Sequence, residues 1–167
     1  MRRSAERGFT LVEIMIVVAI IALLAAIAIP NVLRGRTTAN ESSAIGNSRA
    51  LVSSLEMFRS VNNLYPLTAN WVLDMYTTPT PDFGPPSFNH VMDNSAASLS
   101  QGYLWTYTSA AGTVYTLQAT PQTLNSTGTR SFFADDSGVI RHCTTGVQGK
   151  QATVASPSID QTVVACP

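Results

Sequence analysis

Charge is scarce in this sequence. Asp, Glu, Lys and Arg make up 12% of its 167 residues, ten basic against ten acidic, about half the usual share for a soluble domain. A nucleic-acid-binding domain carries a basic excess, so its absence here excludes direct nucleic-acid binding as the expected role. Cysteine is nearly absent: Cys143 and Cys166 are the only two, and no CxxC pattern exists to suggest zinc or thioredoxin-type chemistry. His90 and His142 stand alone, outside any HExxH spacing. No GxSxG, phosphate loop or GxGxxG is present. No catalytic residue, metal or cofactor is therefore assigned, and the chain is not expected to be an enzyme. Disorder is excluded as well, because 45% of the residues are apolar, enough to build a core.

Apolar content is concentrated near the start. Ile14 to Ile29 are all apolar, and the stretch from Phe9 to Ile29 carries a single charge, Glu13. Those 21 residues would rise about 31 Å as a helix, matching a hydrocarbon layer of about 30 Å. Arg2, Arg3 and Arg7 precede the run, so the positive-inside rule puts the N-terminus in the cytoplasm, although Arg34 and Arg36 follow on the far side. A cleaved secretory signal is a poorer fit, since the run is long and only Ala25, Ala26 and Ala28 offer small residues near its end. A plain signal anchor for a periplasmic binding domain or enzyme accounts for everything except Glu13. A carboxylate this far into an apolar run costs about 2.5–3.5 kcal/mol. Arg7 lies nearly two turns away, too far for good pairing along the helix. The economical expectation is a cation brought by a second molecule.

The order Arg7-Gly8-Phe9-Thr10-Leu11-Val12-Glu13-Ile14, followed by the apolar run and Pro30, resembles the N-terminus of type IV pilins and type II secretion pseudopilins. The resemblance implies a leader of residues 1–8, cut by a prepilin peptidase between Gly8 and Phe9, with Phe9 then N-methylated. It implies that Glu13 pairs with the terminal amine of a neighbouring subunit and that Pro30 kinks the helix. It also implies a homopolymeric helical filament raised from an inner-membrane assembly platform. The subunit would begin as a single-pass inner-membrane protein and end in a cell-surface pilus or a periplasmic pseudopilus. Ordinary signal cleavage removes the apolar helix; this cut leaves it in place and creates an amine for the buried acid to meet.

Beyond Pro30 no breaker cluster stops the helix. Leu51, Leu55 and Phe58 recur at i, i+4 and i+7, with Ile45 and Val52 beside them, which predicts one buried stripe. One helix is expected from Phe9 to about Ser60: a transmembrane or filament-core half over 9–30, apolar all round, and an amphipathic half over 31–61. Asn62-Asn63 and Tyr65-Pro66 end it. The small side chains Ala22, Ala25, Ala26 and Ala28 permit close helix approach, or simply face lipid.

Residues 62–167 read as a C-terminal β-sheet domain, giving an α+β, pilin-like fold in which the long helix packs on a small antiparallel sheet. A Pro-rich loop covers Leu67 to about Gln101, with a helical turn at Trp71–Tyr76. Alternation predicts strands over Tyr103–Thr108, Thr113–Ala119, Ser131–Ala134 and Val139–His142, with a further edge strand at Thr162–Ala165. Tyr103, Trp105, Tyr107 and Tyr115 are expected to pack. Asp135-Asp136-Ser137-Gly138 reads as a hairpin turn; some major pseudopilins bind calcium in this domain and Asp135 and Asp136 could supply oxygen ligands, but neither their fuller acidic loop nor their Asp-Pro-Trp-Gly-type segment is present here. Asn40 and Asn125 sit in glycosylation sequons. The resemblance further implies a Cys143–Cys166 disulfide closing the C-terminal tail; two buried thiols are the alternative.

Overall fold

The computed structural model describes residues 9–144 and 152–161. The chain divides into two compact units, residues 1–35 and 36–167. A single α-helix, α1 (Leu11–Asn62), is shared between them.

In the first unit, every large apolar side chain from Phe9 to Leu33 is at least half exposed. Among the described residues this is the one helix long and apolar enough to cross a membrane. The helix assignment runs unbroken through Pro30. Proline lacks the N–H that would reach the Ala26 carbonyl, and one residue on, the Asn31 side-chain amide donates to the Ile27 carbonyl at 3.1 Å.

In the second unit, α1 buries Glu41, Ala44, Ser48, Leu51, Ser54, Leu55 and Phe58. Apart from Ser54 these lie alternately three and four residues apart, the spacing of one helix face. Leu51 and Leu55 are fully buried, and Ile45 and Val52 pack at the margin of the same core, as the sequence pattern predicts. The helix ends where Asn63 enters the left-handed region (φ 60°) and donates its N–H to the Arg59 carbonyl at 2.7 Å, an αL cap that asparagine tolerates.

The sheet is antiparallel in the order β1 (Leu99–Ser100), β2 (Tyr103–Thr108), β3 (Thr116–Pro121), β4 (Arg130–Asp135), β5 (Arg141–Thr144). Four strands were expected in this region and five are present. The additional one, β1, pairs with β2 through a two-residue turn at Gln101 and Gly102, both with positive φ, as such hairpins require. β5 begins two residues later than expected, because the β4–β5 turn continues past Gly138 (φ 73°). The expected strand at Thr162–Ala165 lies outside the described residues.

One face of the sheet presents Tyr103, Trp105, Tyr107, Leu117, Ala119, Phe132 and Ala134 to the core shared with α1. The loop between helix and sheet adds Trp71, Met75, Phe88 and Met92, including a π-helical turn at Leu73–Thr77 where a helical turn was expected. The aromatics pack as predicted. Trp71 and Tyr107 lie 4.5 Å apart between ring centres and Phe88 meets Trp105 edge-on at 4.9 Å. The Tyr107 hydroxyl donates to the Pro66 carbonyl at 2.7 Å. On the opposite face Phe133, Cys143 and Ala152 form a smaller cluster.

Candidate functional site

The candidate site is the start of α1. Thr10 and Glu13 form a reciprocal cap. The Glu13 Oε2 accepts from the Thr10 N–H at 2.8 Å and from the Thr10 hydroxyl at 2.9 Å. The Glu13 N–H donates back to Thr10 Oγ1 at 3.2 Å. This is a capping box, in which Thr and Glu three residues apart satisfy N–H groups that the first helical turn leaves unbonded. It gives Glu13 a neutral partner on its own chain and leaves the expectation of a cation from a second molecule as it stood. The signal was present as Thr10-Leu11-Val12-Glu13.

Both side-chain bonds to Glu13 fall on Oε2. The cap neutralises no charge, so it leaves the electrostatic cost of an acid in an apolar run largely in place. An incoming cation can therefore be met at Oε1 while the cap persists. Phe9 is 85% exposed, directly beside the cap. Gly8 lies outside the described residues.

A second polar cluster joins the helix to the sheet. Glu41 is buried; its Oε1 accepts from the Thr129 N–H at 2.7 Å, the Thr129 hydroxyl at 2.6 Å and the Arg130 N–H at 3.2 Å. Its Oε2 pairs with Arg130 Nε at 2.9 Å. Burial by itself would raise this carboxyl; the Thr129 hydrogen bonds and the Arg130 charge outweigh it and hold it below the usual range. Just before it, the Asn40 amide donates to the Thr127 carbonyl at 2.9 Å and Thr37 to the Ser126 carbonyl at 3.2 Å. Helix residues 37–41 thus clasp the β3–β4 loop. Asn40 is engaged inside that clasp, whereas the other sequon, Asn125, is exposed at the loop tip.

Asp135 and Asp136 sit in the expected hairpin turn: Asp135 Oδ1 accepts from the Ser137 N–H at 3.0 Å, and its carbonyl from the Gly138 N–H at 2.9 Å. Cys143 is fully buried on β5, with Ser131 Oγ 3.3 Å from its sulfur. Cys166 lies outside the described residues. Pro30, Phe9 and Glu13 share the first unit, and Cys143 lies in the second.

The family model that matches residues 3–29 is described as a prokaryotic N-terminal methylation motif. Among similar proteins, a type II secretion system core protein G of Klebsiella michiganensis is 36% identical over 80 residues, 48% of this chain and 56% of that protein. The protein of the same name in Pseudomonas aeruginosa is 35% identical over 89 residues, 53% of this chain and 63% of that one. The type IV major pilin PilA of Myxococcus xanthus is 48% identical over 65 residues, 39% of this chain and 30% of that one. The chain thus spans about half the length of the curated secretion relatives it matches. No solved structure matches it. The methylation motif and these relatives support the type IV pilin and pseudopilin family for this chain.

Proposed function

We propose that this chain is a structural subunit of a type IV pilus-like filament. In this reading a prepilin peptidase cuts between Gly8 and Phe9 and Phe9 is N-methylated. The subunit waits in the inner membrane on its apolar helix, then joins a helical homopolymer at an assembly platform. Glu13 receives the amine of a neighbouring Phe9, Pro30 bends the helix within the bundle, and Cys143 bonds to Cys166 outside the cytoplasm. The observation that carries this proposal is the uncovered, all-apolar half of α1 with its single acid at the entry. Such a surface is stable only in lipid or against like helices, and repetition multiplies each weak helix contact.

A pseudopilin of a type II secretion system is the second reading. It is favoured because the core protein G relatives align over 48–53% of this chain, against 39% for the pilin. Deleting the gene and imaging the cells distinguishes the two. Loss of surface filaments with normal protein secretion is the pilus result; loss of secretion with filaments retained is the pseudopilus result. Normal filaments together with normal secretion would contradict both.

A further inference from the structure

Residues 152–161 lie as a strap along the outer edge of β5. The His142 N–H donates to the Pro157 carbonyl at 2.8 Å, the Ile159 N–H to the Ile140 carbonyl at 3.0 Å, and Arg141 Nη1 to the Ser156 carbonyl at 3.2 Å. Arg141 also bridges to Ser158 in antiparallel fashion. The Ala152 N–H, at the near end, donates to Ser131 Oγ at 2.9 Å. The strap brings little apolar bulk: of its ten residues, Ala152 is buried in the small second cluster and Ile159 only packs at the core's margin. Its hold is mainly hydrogen bonding to one strand.

That strand carries His142. The ring is fully buried, and among the described residues neither nitrogen makes a well-formed hydrogen bond, the Ser158 backbone being the nearest group that acts on it. In register it sits opposite Phe132 on β4. Two charged groups from the elements packed around it act on the ring, Arg130 of β4 and Glu41 of α1. Glu41 is already committed to Arg130 and Thr129. Arg141, the adjacent residue on β5, reaches to the strap. Asp160, the strap's one titratable residue, lines a cleft of about 420 Å³ with Arg49 and Ile140, Ser158 and Ile159.

We infer that residues 152–161 form an acid-released strap, triggered by protonation of His142. A proton on this ring would place a cation in an apolar seam beside Arg130, with the Ser158 backbone and the committed Glu41 favouring it and no well-formed hydrogen bond to either nitrogen among the described residues. Separating the strap from β5 hydrates the ring at the cost of few apolar contacts. Burial first, then the Arg130 charge, depress the tendency of His142 to protonate; the Ser158 backbone and Glu41 oppose them without prevailing. A histidine held neutral in the closed form stabilises it above the ordinary value near 6.5, and that stability is lost as pH falls below it. Release bares the β5 edge, whose backbone groups then become open to pairing with another strand.

Hydrogen exchange of the full chain in detergent tests this inference. After correction for intrinsic rates, protection of peptides covering 139–144 and 152–161 is expected to fall several-fold between pH 7.5 and 5.5, up to the ceiling of about tenfold set by one group titrating near 6.5 in the released form, while β2 and β3 keep theirs. His142→Phe and His142→Gln should abolish that dependence. Unchanged protection at pH 5.5 would overturn the inference, as would an equal fall in the variants or a fall shared by the whole sheet. Should neither variant fold, the His142 ring is titrated by NMR in the unaltered chain. A midpoint below the ordinary value, coincident with strap exchange, is expected; a midpoint at or above it overturns the idea.

Discussion

Glu13→Gln is expected to reduce filament yield by more than tenfold while the subunit is still made and inserted. The carboxylate is the only charge between Phe9 and Ile29, and its proposed partner is a neighbour's freshly exposed amine. Truncating one member of a close charge pair costs about 2–5 kcal/mol, much of it from the partner left unpaired, and 1.4 kcal/mol is already about a factor of ten in each contact. Thr10→Val separates the charge from the cap. It removes the hydroxyl bonds to Glu13 but keeps the carboxylate, so the expected loss is about 1 kcal/mol at the helix start and a partial defect in assembly. Negative-stain imaging of sheared material from the two variants ranks them. Normal yield and register in Glu13→Gln would remove Glu13 from assembly, and an equally complete defect in Thr10→Val would shift the role from the charge to the cap.

Glu41→Ala is expected to destabilise the C-terminal unit by about 2–3 kcal/mol, because Arg130 and the Thr129 N–H lose their acceptor at a site where water enters poorly. The Arg130 side chain is 27% exposed, which places the effect toward the lower end for a broken buried pair. A thermal midpoint lower by about 10 °C follows for a domain of this size. The folded Glu41 carboxyl titrates below its ordinary value. Its contribution is therefore present above the unfolded value and is lost as pH falls through the folded one. Glu41→Gln should flatten the stability profile on that acid limb alone, below the range in which His142 acts. A melting curve of Glu41→Ala unchanged from the parent would refute the clasp as an energetic feature.

What the sequence made legible follows from the range over which each signal acts. The apolar half of α1 and the Leu51–Leu55–Phe58 stripe are periodic signals spread over many residues, and both agree with the fold. Strands β2 and β4 were visible because aromatic and apolar residues alternate with polar ones or crowd a short run between turns. β1 has only two residues and no alternation; its evidence is Gln101-Gly102, a weaker turn signature than Asn-Gly. The Thr10–Glu13 cap is local, a Thr-x-x-Glu spacing, but the same Glu13 is also a charge in an apolar run, and that stronger signal masks its role as a helix-start residue. Glu41 and Arg130 lie 89 residues apart, so no local pattern links them. One hint existed: Glu41 falls in phase with Ala44, Ser48, Leu51, Leu55 and Phe58, so an acid on a buried face called for a distant partner. The strap is similar, since residues 152–161 show neither periodicity, and their placement depends mainly on hydrogen bonds to β5 and to Ser131 of β4.

The central claim is that cleavage leaves the apolar helix on the mature chain and creates the amine that Glu13 meets. The mass of the N-terminal peptide from protein recovered from cells containing a prepilin peptidase tests it most directly. The account predicts a chain beginning at N-methyl-Phe9, with the residues through Gly8 removed and Glu13 retained. An intact Met1, or a chain beginning after Ala28, would contradict it.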